Sequence, residues 1–256
     1  LAQAEARVVA WVGNIKKWKE QFERARLNPG TFDCHIALAS EMYKLPYDKI
    51  PKEDFLDGKH TIRYIAKRCR HGLNYRMYAN RLATVLGVTI DEANVLWHKY
   101  HETTPEIRRW WSTTENTYKR DRILTTPYGR RMVLMGRLPS PAKDKEAYEQ
   151  VMESIIAFVP QSTIGDKVSE VIYLSKEDAE WPHDARIVLN VHDALICEAP
   201  VSKLKTCLSI MKKHAEKPLI INGEQLIIPA DVAMTVPDDR GRHYWASLKK
   251  LKEGEL

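Results

Sequence analysis

Residues 186–198 read RIVLNVHDALICE, two runs of strand-forming side chains, Arg186 to Val191 and Leu195 to Glu198, parted only by His192, Asp193 and Ala194. So short a break between β-branched and aliphatic runs predicts an antiparallel hairpin with Asp193 at its tip. Before this point the chain reads almost wholly as helix. After it, an amphipathic helix puts Leu204, Leu208 and Met211 on one face, and Gln225 to Val236 predicts a further strand. Helices first, then strands with a packing helix, predict an α+β fold.

Working upstream, Ala2 to Leu27 is continuously helix-compatible, with apolar positions at Val8, Val9, Trp11, Val12, Ile15 and Trp18, and Asn28-Pro29-Gly30 ends it. A helix from Asp33 to Tyr43 is capped by Asp33 and stops before Pro46. A third opens after Asp57-Gly58 and runs through Arg70, carrying Lys59, Arg63, Lys67, Arg68 and Arg70. Thr89-Ile90-Asp91-Glu92 has capping-box spacing and starts a helix reaching about His101. Thr104-Pro105-Glu106 opens another toward Arg120, with proline at the favoured first position. Thr125 to Arg137 reads as a hairpin-like excursion around Pro127-Tyr128-Gly129. Lys145 to Leu174 is helical again, with Pro160 expected to kink or split it.

The chain has 256 residues, 44% of them apolar and 29% charged, which describes a globular protein large enough for a substantial core. Forty basic against 34 acidic side chains leave a formal charge of +6. That excess suits a polyanionic partner and equally serves solubility. No apolar run approaches the ~20 residues that span a bilayer, and no signal-peptide pattern opens the chain. Cys34, Cys69, Cys197 and Cys207 form no CxxC pair, so reduced, mostly buried thiols are expected rather than a zinc site. This fits a reducing, cytoplasmic compartment.

Arg63, Lys67, His71 and Tyr75 recur every fourth residue, along one slowly drifting helix stripe. Three such donors facing outward suit the successive groups of a triphosphate. The spacing is also that of an ordinary solvated basic face, and these residues alone do not separate the two. At the hairpin tip the Asp193 carboxylate is placed to hold a divalent metal, yet aspartate also forms turns for local reasons. One carboxylate is not a metal site.

In their order along the chain, these pieces resemble family A (polymerase I-like) DNA polymerases, in a form closer to phage members. LAQAEAR, residues 1–7, is similar to the family's first palm motif Asp-Tyr-Ser-Gln-x-Glu-x-Arg from its second position, with Gln3, Glu5 and Arg7 in register. Asp33-Cys34-His35 resembles the Asp-x-His that opens a fingers helix. RYIAKRCRHGLNYRM, Arg63 to Met77, is similar to the O helix, Arg-x3-Lys-x3-aromatic-Gly-x2-Tyr-Gly. Thr125 to Arg131 (TTPYGRR) resembles the return toward the palm. Pro160-Gln161-Ser162-Thr163 resembles the Gln-containing palm helix, and Leu189 to Pro200 resembles the last motif, Val-His-Asp-Glu-Leu.

The resemblance implies a helical fingers subdomain at 13–135, with the O-helix-like segment at 59–75. It implies a palm with a small antiparallel sheet and packing helices from 1–12 and 136–256, the last-motif hairpin lying at 186–198. It implies template-directed transfer of a deoxynucleotide from dNTP to a primer 3′ hydroxyl, with two magnesium ions. Asp193 then binds metal, together with the backbone carbonyl of Leu1. Arg63, Lys67 and His35 contact the triphosphate, His71 the sugar side, and Tyr75 the base and template. Glu5 sits where a ribose 2′ hydroxyl collides, which selects deoxynucleotides. Gln161 and His192 approach the primer–template, and Arg130 and Arg131 the DNA backbone.

The sequence departs from the family at several points. The first metal aspartate falls one position before Leu1, and the thumb lies further upstream, so an upstream portion of the same or a companion polypeptide is an expected partner. His71 replaces an aromatic, Arg76 a glycine and Ala194 a glutamate, while Glu153 and Ala157 stand where Arg and Asn are usual. Two alternatives stay open. One is a non-catalytic half of a split polymerase or a DNA-binding relic; the other is a single-subunit RNA polymerase, against which Glu5 argues.

Overall fold

The computed structural model describes residues 1–133, 135, 138–244 and 247–251. The last part of the 125–137 excursion, at Leu134, Gly136 and Arg137, lies outside them, and so does the expected subdomain boundary at Gly136. The fold is predominantly helical, with small antiparallel sheets among the helices. It divides into two compact units, Glu5–Gln161 and Leu1–Ala4 with Ser162–Leu256.

The larger unit begins with α1 (Ala4–Val12) and α2 (Lys16–Leu27), two helices where the sequence predicts one. Gly13 and Asn14 break the run: Asn14 takes φ 48°, a left-handed conformation that ends helices and that asparagine tolerates. Val8, Val9, Trp11, Ile15, Trp18 and Phe22 are still all buried. Helix α3 (Cys34–Tyr43) starts as expected, its first amides donating to the Asp33 carboxylate at 2.7 and 3.1 Å.

Asp57-Gly58 does not open a helix. It turns a hairpin between β1 (Phe55–Leu56) and β2 (Lys59–His60), with φ 49° and 77° at its two turn residues. Lys59 is therefore on a strand, and α4 (Ile62–Leu73) begins at the Thr61 cap. A short helix that the sequence reading missed, α5 (Ala79–Leu86), follows.

Helix α6 (Ile90–Thr103) carries the expected capping box of Thr89 and Glu92. Helix α7 (Glu106–Asp121) follows Pro105, which precedes its first turn. Strands β3 (Ile123–Thr125) and β4 (Arg131–Val133) form the expected hairpin. Leu124 of that hairpin packs with Tyr118, Tyr148, Met152 and Ile155 in a small core.

Helix α8 (Lys145–Glu177) runs unbroken through Pro160. A mid-helix proline costs ~3 kcal/mol. Buried side chains on both sides of it, Ile155 and Ile156 before, Ile164, Val168 and Val171 after, offset that cost. In the smaller unit, β5 (Arg186–Val191) and β6 (Ala194–Glu198) pair as predicted around a two-residue loop. Helix α9 (Leu204–Ala215) buries Cys207 and Ile210, and leaves Leu204, Leu208 and Met211 half-buried.

The single strand expected over Gln225–Val236 is instead two short ones. They are β8 (Glu224–Leu226), paired with β7 (Leu219–Ile221), and β9 (Ala233–Thr235), paired with β10 (Leu248–Lys250). The α8 side chain Lys167, 1% exposed, reaches the His214 and Lys217 carbonyls at 3.2 and 2.9 Å and Glu170 at 3.1 Å. A buried ammonium is tolerated because all three donors are used.

Candidate functional site

Helix α4 exists because Thr61 caps it and Ala66, Cys69 and Leu73 line its buried side. The opposite side carries the predicted stripe. Its first cation is already held: Arg63 donates to Asp33 at 2.9 and 2.7 Å and pairs with Asp54. Lys67 lies 3.1 Å from the same Asp54. Asp33 thus caps α3 with one oxygen and grips Arg63 with the other. Two carboxylates hold these cations at the surface, with the Lys67 side chain 36% exposed.

His35 sits behind them, 5% exposed, its ring centroid 6.2 Å from that of His71. Burial, helped by the charges of Arg70, His71, Arg63 and Lys67, pushes the His35 imidazole down to about 2. Burial also lowers His71. Arg63, Lys67, His35 and His71 thus share one neighbourhood, in which Asp33 and Asp54 pair with the two cations.

Two members of the basic helix depart from expectation. Tyr75 lies in the turn beyond the end of α4, and its hydroxyl donates to Glu5 at 2.9 Å. Burial and this carboxylate together raise the phenol well above its ordinary value. Arg70 is buried, not solvated: its guanidinium lies 4.5 Å over Trp18 and 5.5 Å from Phe22. None of its three side-chain nitrogens has a hydrogen-bond partner among the described residues. The aromatic faces take the place of hydrogen-bond acceptors.

The last turn of α4 holds Gly72, where a Cβ would lie 2.6 Å from the Met77 side chain. The turn that follows contains Arg76, at φ 64°. A glycine takes that conformation freely, whereas an arginine adopts it at a cost of ~1–2 kcal/mol. Glu115 of α7 at 3.2 Å and Glu149 of α8 at 2.8 Å clasp its guanidinium, and all three side chains are 18% exposed. Asn74 is fixed beside it by the Tyr100 hydroxyl at 2.5 Å and the Trp111 indole N–H at 2.7 Å. These carboxylate partners escaped the sequence reading because they lie 39 and 73 residues from Arg76.

In the smaller unit the β5–β6 loop consists of His192 and Asp193, with His192 at φ 55°. A left-handed first residue is what a two-residue hairpin loop requires. The Asp193 side chain is 42% exposed; its carbonyl accepts from the Leu1 ammonium at 3.1 Å, and its carboxylate lies 3.7 Å from that nitrogen. Leu1 and Asp193 also line one cavity, together with Asp231. A carboxylate is a hard donor of the kind magnesium takes, and here the Leu1 ammonium lies against it. It does not make a two-ion site, and no group of three or more His, Cys, Asp or Glu side chains able to hold a metal occurs among the described residues.

Cys34, Cys69 and Cys207 are buried free thiols and Cys197 is half-buried. No described helix is long and apolar enough to cross a membrane. Gln161 is exposed on α8, Arg131 opens β4, and Arg130 is exposed at the β3–β4 turn.

A sequence model of DNA polymerase family A matches residues 1–241. Over 250 residues the chain is 25% identical to "DNA polymerase I, thermostable" of Thermus aquaticus, covering 97% of this chain and 27% of that relative. With DNA polymerase I of Deinococcus radiodurans the identity is 31% over 170 residues, 66% of this chain and 17% of the relative. The chain thus spans about a quarter of the length of its Thermus relative. Among solved structures, the POL domain of Pol1 from M. smegmatis, in complex with DNA primer-template and dNTP, matches with a TM-score of 0.67. Its identity is 22%, over 88% of this chain and 37% of that one, a likeness of fold.

Two predictions follow from this geometry. Arg76→Ala keeps the left-handed strain and loses the clasp, so it should destabilise by about 2–4 kcal/mol. Arg76→Gly should cost about 1 kcal/mol less. Urea midpoints read both, and a Gly variant weaker than the Ala variant contradicts the strain argument. The second prediction concerns pH. With its pKa depressed from 6.5 to about 2, folded His35 refuses a proton that the unfolded chain accepts. Its stabilising effect is full above pH 6.5 and falls with pH below it, by up to about 1.4 kcal/mol per pH unit. His35→Gln should flatten that fall between pH 6.5 and about 5; an unchanged slope in urea titrations counts against it.

Proposed function

Because this chain belongs to DNA polymerase family A, we propose that it carries template-directed transfer of deoxynucleotides from dNTP to a primer 3′ hydroxyl. The hydroxyl oxygen forms a bond to the α-phosphorus, the bond to the bridging oxygen breaks, and pyrophosphate leaves. The observation that carries this reading is the face of α4, where Arg63 and Lys67 stand beside His35, held by Asp33 and Asp54. Cations held at fixed spacing by side chains of the protein itself are pre-organised for a triphosphate, so little ordering is left to do on binding.

In this reading His71 faces the sugar and Tyr75 the base and template, with Glu5 holding the Tyr75 hydroxyl and excluding a ribose 2′ hydroxyl. His192, Gln161, Arg130 and Arg131 contact the primer–template backbone and groove. Residues 13–135 serve as fingers, and 1–12 and 136–256 as palm. Asp193 and the Leu1 carbonyl are the groups that would hold magnesium, which when bound stabilises charge on the attacking and leaving oxygens. A two-ion site takes more than one carboxylate, and in this reading the reaction runs in the cytoplasm of a bacterial or phage-infected cell.

The test is primer extension by the longest polypeptide that contains these 256 residues. Asp193→Ala should cut incorporation by about 10²–10³-fold. Glu5→Ala should raise ribonucleotide use relative to deoxynucleotide by roughly tenfold or more. Extension that proceeds at the parental rate without Asp193 refutes the reading, and a parental preference for ribonucleotides favours an RNA polymerase.

A further inference from the structure

Two of the four cysteines meet in the smaller unit. Cys197 lies in β6, paired across the hairpin with Ile187 of β5, and is half-buried. Cys207 lies on α9 and is 1% exposed.

Two contacts fix how α9 runs along the strand that carries Cys197. At the start of the helix, Lys203 donates to both carboxylate oxygens of Asp184 at 3.0 Å, just before β5 begins. Further along, Leu208 and Met211 line the same cavity as Leu195 of β6. Side chains alternate along a strand, so Leu195 and Cys197 share one face. On the helix, Cys207 is one turn beyond Lys203 and directly precedes Leu208. These contacts set it opposite Cys197, and the two thiols hydrogen-bond to each other. The Cys197 thiol also lies 3.6 Å from the Glu198 carbonyl.

A half-buried thiol in contact with an enclosed one is an entry point with a resolving partner behind it. We propose that Cys197 and Cys207 close a reversible disulfide when the chain meets a small aliphatic disulfide such as oxidised glutathione. Cys197 gives up its proton and its sulfur attacks one sulfur of the reagent. A mixed disulfide forms, the reagent's S–S bond breaks, and one half leaves as a thiol carrying that proton. Cys207 then gives up its proton and attacks the Cys197 sulfur, and the second half leaves in the same way. Two cysteine hydrogens pass to two reagent thiols, so the chain loses two electrons and the reagent gains them. Excess thiol reverses both steps. The bond fastens β6, which starts directly after Asp193, to α9. Nothing in this depends on the polymerase reading.

Burial keeps both thiols protonated at neutral pH, pushing Cys197 up to about 12 and Cys207 up as well. The charges facing them are Glu198 at Cys197, and Asp184 with Lys203 at Cys207. Closure is therefore slow at neutral pH and speeds up as more thiolate forms.

The test incubates the 256-residue chain with excess oxidised glutathione at several pH values, then alkylates the remaining thiols in denaturant and maps the peptides by mass. Two of the four thiols should disappear, with Cys197 and Cys207 recovered as one linked pair and no glutathione retained. The rate should rise about tenfold per pH unit from roughly pH 7 to 9. Cys34 and Cys69, buried in the larger unit, should stay alkylatable. Cys197→Ser should abolish the reaction, and Cys207→Ala should leave glutathione held on Cys197. Four thiols retained at every pH, a bridge joining two chains, or glutathione kept on Cys197 of the parent chain overturns the proposal. The peptide map of the parent chain decides this even where Cys207→Ala fails to fold.

Discussion

The guanidinium of Arg63, fixed between Asp33 and Asp54, is the contact from which the rest of the helical unit's surface chemistry follows. Asp33 sets the first turn of α3 with the same carboxylate that anchors the first turn of α4. One side chain therefore ties the start of one helix to the start of another. Asp54 extends the tie to the hairpin that precedes α4 and to Lys67 one turn on. Half-buried ion pairs of this kind contribute modestly to stability. Their larger effect is on direction, since two flexible side chains are left with one orientation each.

Beyond the far end of α4 the problem recurs in a different form. There Arg76 takes a left-handed conformation that a glycine would adopt freely. The strain is answered by two carboxylates from separate helices, and Tyr75 beside it is held by Glu5. Both ends of the helix are thus clamped by charge, while its middle is set by burial of Ala66, Cys69 and Arg70. In the smaller unit loop geometry places the carboxylate at the hairpin tip: a two-residue turn leaves Asp193 half-exposed beside Leu1.

Much of this was legible where the signal is local. The capping box of α6, the Asp33 cap and the β5–β6 hairpin depend on residues at most a few positions apart, and each stands where the sequence places it. The failures at Gly13-Asn14 and Asp57-Gly58 were also local. At Gly13-Asn14 helical periodicity outweighed a turn signal, and Asp57-Gly58 reads as the point after which a helix opens, whereas its φ > 0 residues turn a hairpin. Asn222-Gly223, which the reading passed over, is the φ > 0 turn between β7 and β8. What no local pattern discloses is pairing across the chain. Nothing near Arg63 marks Asp33, 30 residues away, as its partner, and nothing near Arg70 announces that Trp18 and Phe22 will bury it. The basic stripe was visible; its carboxylate frame was not.

The account stands on the cations of α4 forming a seat for a triphosphate. Calorimetric titration of dATP into the chain, with and without Lys67→Ala, addresses this most directly, because Lys67 is the more exposed of the paired cations and its loss leaves the Arg63–Asp33 tie in place. The account predicts about tenfold weaker binding in the variant, with binding in the parent chain weakening as salt rises. Equal affinity in the two proteins would show that the triphosphate, if it binds, sits elsewhere.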